Sequence, residues 1–139
     1  MNPLCDAEWE CQRLLLRVFH LLDEFDYRGL AALFTPDGLW ERQGRLCHGP
    51  DEIVAVLSER SPEQRVRHVI TNVMVDILGD TASAIAYNTA YRHLGARADN
   101  GPAKIRAPLG LWISRVGYRK TPQGWRIAQI RQEQQFAFE

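Results

Sequence analysis

At about Gln64 the apolar repeat of this chain shortens from three or four residues to two, which divides the fold into a helical part followed by a sheet. Before that point Leu15, Val18, Phe19, Leu22 and Phe25 form a helical stripe behind Asn2-Pro3, an amide cap followed by proline at the first helical position. A second short helix is expected at about 27–34, with Leu30, Leu33 and Phe34, stopping at the turn sequence Thr35-Pro36-Asp37-Gly38. Residues 39–48 read as short strands bent at Gly44. Gly49-Pro50-Asp51-Glu52 opens a third helix, with Ile53, Val54 and Leu57 inward, that ends near Arg60-Ser61-Pro62. After the switch Val69, Thr71, Val73, Val75 and Ile77 share one parity, and Gly79-Asp80 is a two-residue hairpin turn into a strand over 81–93. A loop over 95–104 precedes two more strands, about 105–118 and 125–136, joined through Lys120-Thr121-Pro122-Gln123-Gly124. The expected architecture is α+β: three N-terminal helices packed on a strongly curved antiparallel sheet, in one domain over 1–139.

The 139 residues are 45% hydrophobic, enough for one core. Lys and Arg total 17 against 17 Asp and Glu, so no global field recruits nucleic acid or an anionic membrane. Cys5, Cys11 and Cys47 are an odd set without a Cys-x-x-Cys, which supports neither a disulfide framework nor structural zinc and makes a reducing cytoplasm the simpler location. The first residues fit neither a signal nor a transit peptide, and no apolar run approaches the ~18 residues of a membrane span. No carboxylate and histidine cluster has ligand spacing and no glycine loop could cradle phosphates, so no metal or cofactor is implied.

With Gly79 and Asp80 in the turn, antiparallel pairing places Leu78 opposite Thr81 and His68 opposite Tyr91. One sheet face then collects His68, Ile70, Asn72, Met74, Ile85, Tyr87, Thr89, Tyr91 and His93, a mixture of apolar, imidazole, phenol and amide groups suited to a small-molecule pocket. The other collects Val69, Thr71, Val73, Val75, Ile77, Ala82, Ala84, Ala86 and Ala90. Asp23 shares the inward stripe of the first helix, and with Glu24 and Asp26 it crowds a helix end where the backbone dipole disfavours negative charge. A carboxylate beside a histidine makes a general base, because it fixes the imidazole tautomer and stabilises the imidazolium. Asp23 with His68 is the candidate pair and His93 the candidate second acid. Equally, Asp23 could pair with one of 15 arginines or cap the second helix, His68 could be a hydrogen-bonded core residue, and the tyrosines could be large strand formers. Cys47 and His48 are a weaker nucleophile pair, and Trp9, Trp40, Trp112 and Trp125 read as core or pocket wall.

Leu22-Asp23-Glu24-Phe25-Asp26-Tyr27, Ala31-Ala32-Leu33-Phe34-Thr35-Pro36-Asp37-Gly38, Arg67-His68-Val69-Ile70-Thr71-Asn72, Gly79-Asp80-Thr81-Ala82 and Gly124-Trp125-Arg126-Ile127 together resemble the SnoaL-like branch of the nuclear-transport-factor-two-like superfamily. The likeness runs from about Glu8 to Phe136. It implies a cone-shaped α+β barrel, a bent sheet and three helices with a ligand cavity at the open end. Scytalone dehydratase and hexachlorocyclohexane dehydrochlorinase belong to the same superfamily and eliminate a small group with an aspartate and a histidine, which match Asp23 and His68. The dehydratase's second histidine matches His93, its pocket asparagine falls near Ser114, and the dehydrochlorinase's pocket arginine falls near Gln134. The implied function is a cofactor-independent lyase or isomerase on a small cyclic or aromatic molecule, with Tyr91, Tyr87, Asn72, Ser114, Trp40 and Met74 around the substrate. The alternatives are the non-catalytic β subunit of an aromatic-ring-hydroxylating dioxygenase and a plain ligand-binding module.

If the helices cover the His68 face, then Val69, Val73, Val75, Ile77, Ala84 and Ala86 face outward as a large apolar patch. A homodimer through this outer sheet face is the expected way to bury it.

Overall fold

The computed structural model describes residues 2–95 and 101–138. Helix α1 spans Pro3–Asp23 and starts as expected, the Asn2 side chain accepting a hydrogen bond from the Leu4 amide at 3.0 Å. Helix α2, Tyr27–Ala31, is capped by Asp26, which accepts from the Gly29 amide at 2.9 Å. Helix α3 spans Gly49–Leu57. The strands are β1 Phe34–Arg42, β2 Arg45–His48, β3 Gln64–Leu78, β4 Thr81–Leu94, β5 Gly110–Thr121 and β6 Gly124–Ala137. They form one curved sheet in the order β2-β1-β6-β5-β4-β3, with α1 packed chiefly on β3 and α3 on β1.

The expected helices and α+β class are present, with two differences. Residues 35–38, expected as a turn, lie inside β1, and the irregularity they carry is a register shift between Phe34 and Leu39. β1 runs parallel to β6, so the sheet is mixed rather than wholly antiparallel. Part of the expected loop, 96–100, lies outside the described residues.

The largest correction concerns the β3–β4 register. The expected pairing holds from Leu78↔Thr81 to Met74↔Ile85, then slips by one, so that Thr71 pairs with Tyr87 and His68 with Ala90. Asn72 and Val73 together oppose a single β4 residue, a bulge, and Asn72 takes φ 55°, a left-handed conformation that asparagine tolerates better than most residues. A one-residue slip exchanges the faces of everything beyond it. Val66, His68 and Ile70 before the bulge and Val73, Val75 and Ile77 after it therefore all turn toward the helices, although their parities differ.

The helix side of β4 is consequently the alanine side, with Ala82, Ala84, Ala86 and Ala90 buried. Small side chains there leave room for Phe19, Leu15 and Leu22 of α1, all buried in the same core as Trp40, Ile127 and Ile130. Met74, Tyr87 and Tyr91 are exposed on the opposite face. Val73, Val75, Ile77, Ala84 and Ala86 are thus not the outward patch; of the six residues expected there only Val69 is exposed. Trp125 and Trp40 are core as expected, while Trp9 is exposed on α1.

The bulge makes a specific demand on position 72. Asn72→Gly should hold or slightly raise the melting temperature, whereas Asn72→Val, which forces a β-branched side chain into φ > 0, should cost about 1–2 kcal/mol by chemical denaturation. Equal stability of the two variants would contradict the bulge.

Candidate functional site

Helix α1 ends where it does because of a backbone motif that also aims Asp23. The amide of Asp26 bonds to the Leu21 carbonyl at 3.0 Å and that of Phe25 to the Leu22 carbonyl at 3.2 Å, with Phe25 itself at φ 61°. This is a Schellman ending with phenylalanine in the place usually held by glycine, a conformation that costs a residue with a Cβ about 1–2 kcal/mol. Arg60 offsets that cost. Its guanidinium lies 5.4 Å from the Phe25 ring centroid and its Nη1 donates to the Leu22 carbonyl at 3.0 Å and to the Tyr27 hydroxyl at 2.9 Å. A cation bonded to a helix C-terminus also answers the crowd of Asp23, Glu24 and Asp26 there.

Asp23, the last helical residue, is 8% exposed and uses both carboxylate oxygens on His68. Oδ2 accepts the His68 backbone amide at 2.9 Å and Oδ1 lies 2.6 Å from the ring nitrogen Nδ1. Because a carboxylate only accepts, Nδ1 is the donor of the ring contact, which makes Nε2 the lone-pair nitrogen of the neutral tautomer; Nε2 has no partner among the described residues. Phe19 packs against the imidazole with centroids 5.1 Å apart. The ring is therefore held by a two-point bond on one side and an aromatic wall on another.

His68 forms part of the wall of a cavity of about 230 Å³. Asp23 is not on that wall; it stands behind the imidazole on the α1–β3 side. The apolar part of the cavity comes from Phe19, Leu22, Leu109 and Trp112, and the polar part from Gln132, Gln64 and three arginines, Arg42, Arg60 and Arg92. A second concavity shares Gln43, Arg92, Trp112 and Gln132 with the first and continues it toward solvent beside Gln134.

Of the expected site residues, the structure brings Asp23 and His68 together. His93 pairs with Arg65 on the sheet face opposite His68 and does not reach the cavity. Tyr87, Tyr91 and Met74 share that outer face, and Asn72 occupies the bulge, so none of these four lines the cavity; the slipped register is the common reason. Ser114 is buried and donates to Asn88 Oδ1 at 3.0 Å, so an amide from the adjacent strand sits beside it. Trp40 lies behind the wall rather than on it, stacked on Phe34 and donating through Nε1 to Gln132 Oε1 at 3.0 Å, which fixes a cavity-lining amide. Cys47 is 2% exposed and burial pushes its thiol up, which opposes a nucleophilic role, while His48 stands exposed at the start of α3.

Sequence reasoning missed Arg42, Arg92 and Gln132 as cavity residues, whereas Trp112, read as core or pocket wall, does line the cavity. The available signal for Arg92 was Asn72: a left-handed position inside β3 reverses the parity of that strand and puts His68 on the same face as Asn88, Ala90 and Arg92 of β4.

Comparison with known proteins agrees with this fold. A crystal structure of an NTF2-like protein with a cystatin-like fold from Novosphingobium aromaticivorans superposes with a TM-score of 0.78 at 21% identity, over 93% of this chain and 82% of that one. ActVI-ORFA from Streptomyces coelicolor gives 0.72 at 19% identity, over 90% and 94%. A protein from Catenulispora acidiphila, solved in complex with S-DNPA, gives 0.72 at 26% identity, over 96% and 95%. Among curated proteins no sequence match was found. The sequence profile of the SnoaL-like domain matches residues 4–131, nearly the whole chain, and the chain belongs to the SnoaL-like domain family.

Proposed function

We propose that this protein is a cofactor-independent lyase or isomerase that removes a proton from a small cyclic or aromatic molecule, with His68 as general base and Asp23 as its positioning partner. The observation that carries the reading is the 2.6 Å contact between Asp23 Oδ1 and Nδ1 of His68, whose side chain forms part of a cavity wall in front of the carboxylate. The contact presents Nε2 as the basic nitrogen and leaves the positive charge formed on protonation beside a carboxylate. The tight, 13% exposed setting of the His68 side chain limits competition from water. The relative holding S-DNPA supports a ligand-bearing cone. Elimination and isomerisation both begin with this deprotonation, so one assay reads either. In D2O, a panel of cyclic ketones and β-hydroxy ketones is expected to include a compound whose α-proton exchanges catalytically by mass spectrometry. His68→Ala and Asp23→Asn should each slow that exchange by about 10²–10⁴-fold while the far-UV spectrum stays unchanged. Binding of such compounds without exchange would instead make this a ligand-binding module.

A second copy of the chain is the proposed partner, through the outer sheet face. Val69, Met74, Tyr87, Tyr91 and Phe136 expose apolar surface on three strands, amid both charge signs in the ion pairs Arg115–Glu133 and Arg131–Glu41. A face that is apolar and carries both signs can pair with itself under two-fold symmetry. Sedimentation at micromolar concentration should give a dimer, and Tyr87→Arg should shift it to monomer; a monomeric wild type would remove the proposal.

A further inference from the structure

The arginines of this chain divide by location. At the surface, Arg45 pairs with Glu59, Arg115 with Glu133, Arg119 with Asp37 and Arg131 with Glu41. Around the cavity, Arg42, Arg60 and Arg92 line the wall, and among the described residues no aspartate or glutamate lines it with them. Arg60 is engaged by the Leu22 carbonyl, the Tyr27 hydroxyl and two aromatic faces, which fix its position without neutralising its charge. Arg42 and Arg92 have no ion-pair or hydrogen-bond partner among the described residues. Arg42 is half-buried at the end of β1, and burial together with the neighbouring Arg60 charge pushes its guanidinium below the ordinary value. The like charges of Arg42 and Arg60 repel across partly desolvated space, the exposed Arg92 adds a third cation to the same wall, and an anion bound there offsets that repulsion.

From this we infer that the cavity takes an anionic ligand, an apolar ring or chain carrying a carboxylate-type oxyanion, bound by Arg42 and Arg92 with Gln132 beside them. The planar guanidinium fork suits a two-oxygen anion, and charge-assisted bonds of this kind are about twice as strong as neutral ones. Phe19, Leu22, Leu109 and Trp112 supply the apolar surface for the remainder of the molecule. The inference names the substrate class for the site of the proposed base, and it orients that substrate: the oxyanion end lies at the arginines and the apolar body extends toward His68.

Calorimetric titration tests this with benzoate and 1-naphthoate against their neutral counterparts, benzyl alcohol and 1-naphthalenemethanol. At least one carboxylate should bind about 10-fold or more tightly than its alcohol, and Arg42→Gln and Arg92→Gln should each weaken it by about 10-fold. Arg42→Lys should recover part of the loss. Ligand-free Arg42→Gln should melt no lower than the wild type, since it removes a charge that faces Arg60. Equal affinity for acid and alcohol, no binding of either carboxylate up to about 10 mM, unchanged affinity in both glutamine variants, or a large fall in the melting temperature of Arg42→Gln would each overturn the inference. The titration reads binding and not proton transfer, so its failure and failure of the proposed base are separate results.

Discussion

One carboxylate couples the helical and sheet parts of this molecule. Asp23 closes the last turn of α1 and reaches across to β3, where one oxygen holds a backbone amide and the other an imidazole nitrogen. Hydrogen bonds to a charged group contribute about 1.5–3 kcal/mol each, and two on one nearly buried residue fix both the angle of the helix on the sheet and the rotamer of the histidine. The position of the cavity wall depends on that bond: His68 stands between Asp23 and the open space, and Phe19, one helical turn earlier, closes the other side of the ring.

The helix end that delivers this carboxylate is assembled from parts that oppose one another locally. Three acidic residues occupy the negative pole of α1, and a phenylalanine adopts a left-handed conformation directly after it. Arg60, from the segment after α3, bonds the exposed carbonyl and covers the phenylalanine, so the tertiary contact accounts for what the local sequence disfavours. A local/global conflict of this kind marks a position chosen for what it presents.

Helix starts, the hairpin turn and the α+β class were legible from residue chemistry, because Asn2-Pro3, Gly49-Pro50 and Gly79-Asp80 act over a few positions. So was the inward carboxylate at Asp23, which follows from a helical stripe with no irregularity. The far half of the hairpin was not legible. Alternation is read by parity, and Asn72 resets the parity in mid-strand, so every assignment beyond it to Tyr87, Tyr91 and His93 fell on the wrong face. The parallel pairing of β1 with β6 was equally hidden, since it joins residues about ninety positions apart and leaves no periodic trace. The resemblance placed Asp23 and His68 by position, while the arginines of the cavity emerged only when β1 and β4 were brought to the same opening.

β3 is the last strand of the sheet, and the amides on its outer side have no neighbouring strand to receive them. At His68 that vacant rung is filled by Asp23 Oδ2, and the helix bearing it packs along the same strand. A foreign β-segment attempting to extend the sheet here would have to displace a charge-assisted bond and the helix together. The contact that sets the imidazole therefore also guards the sheet against edge-to-edge polymerisation, so a mutation loosening it would expose an aggregation-prone margin as well as unsettle the cavity.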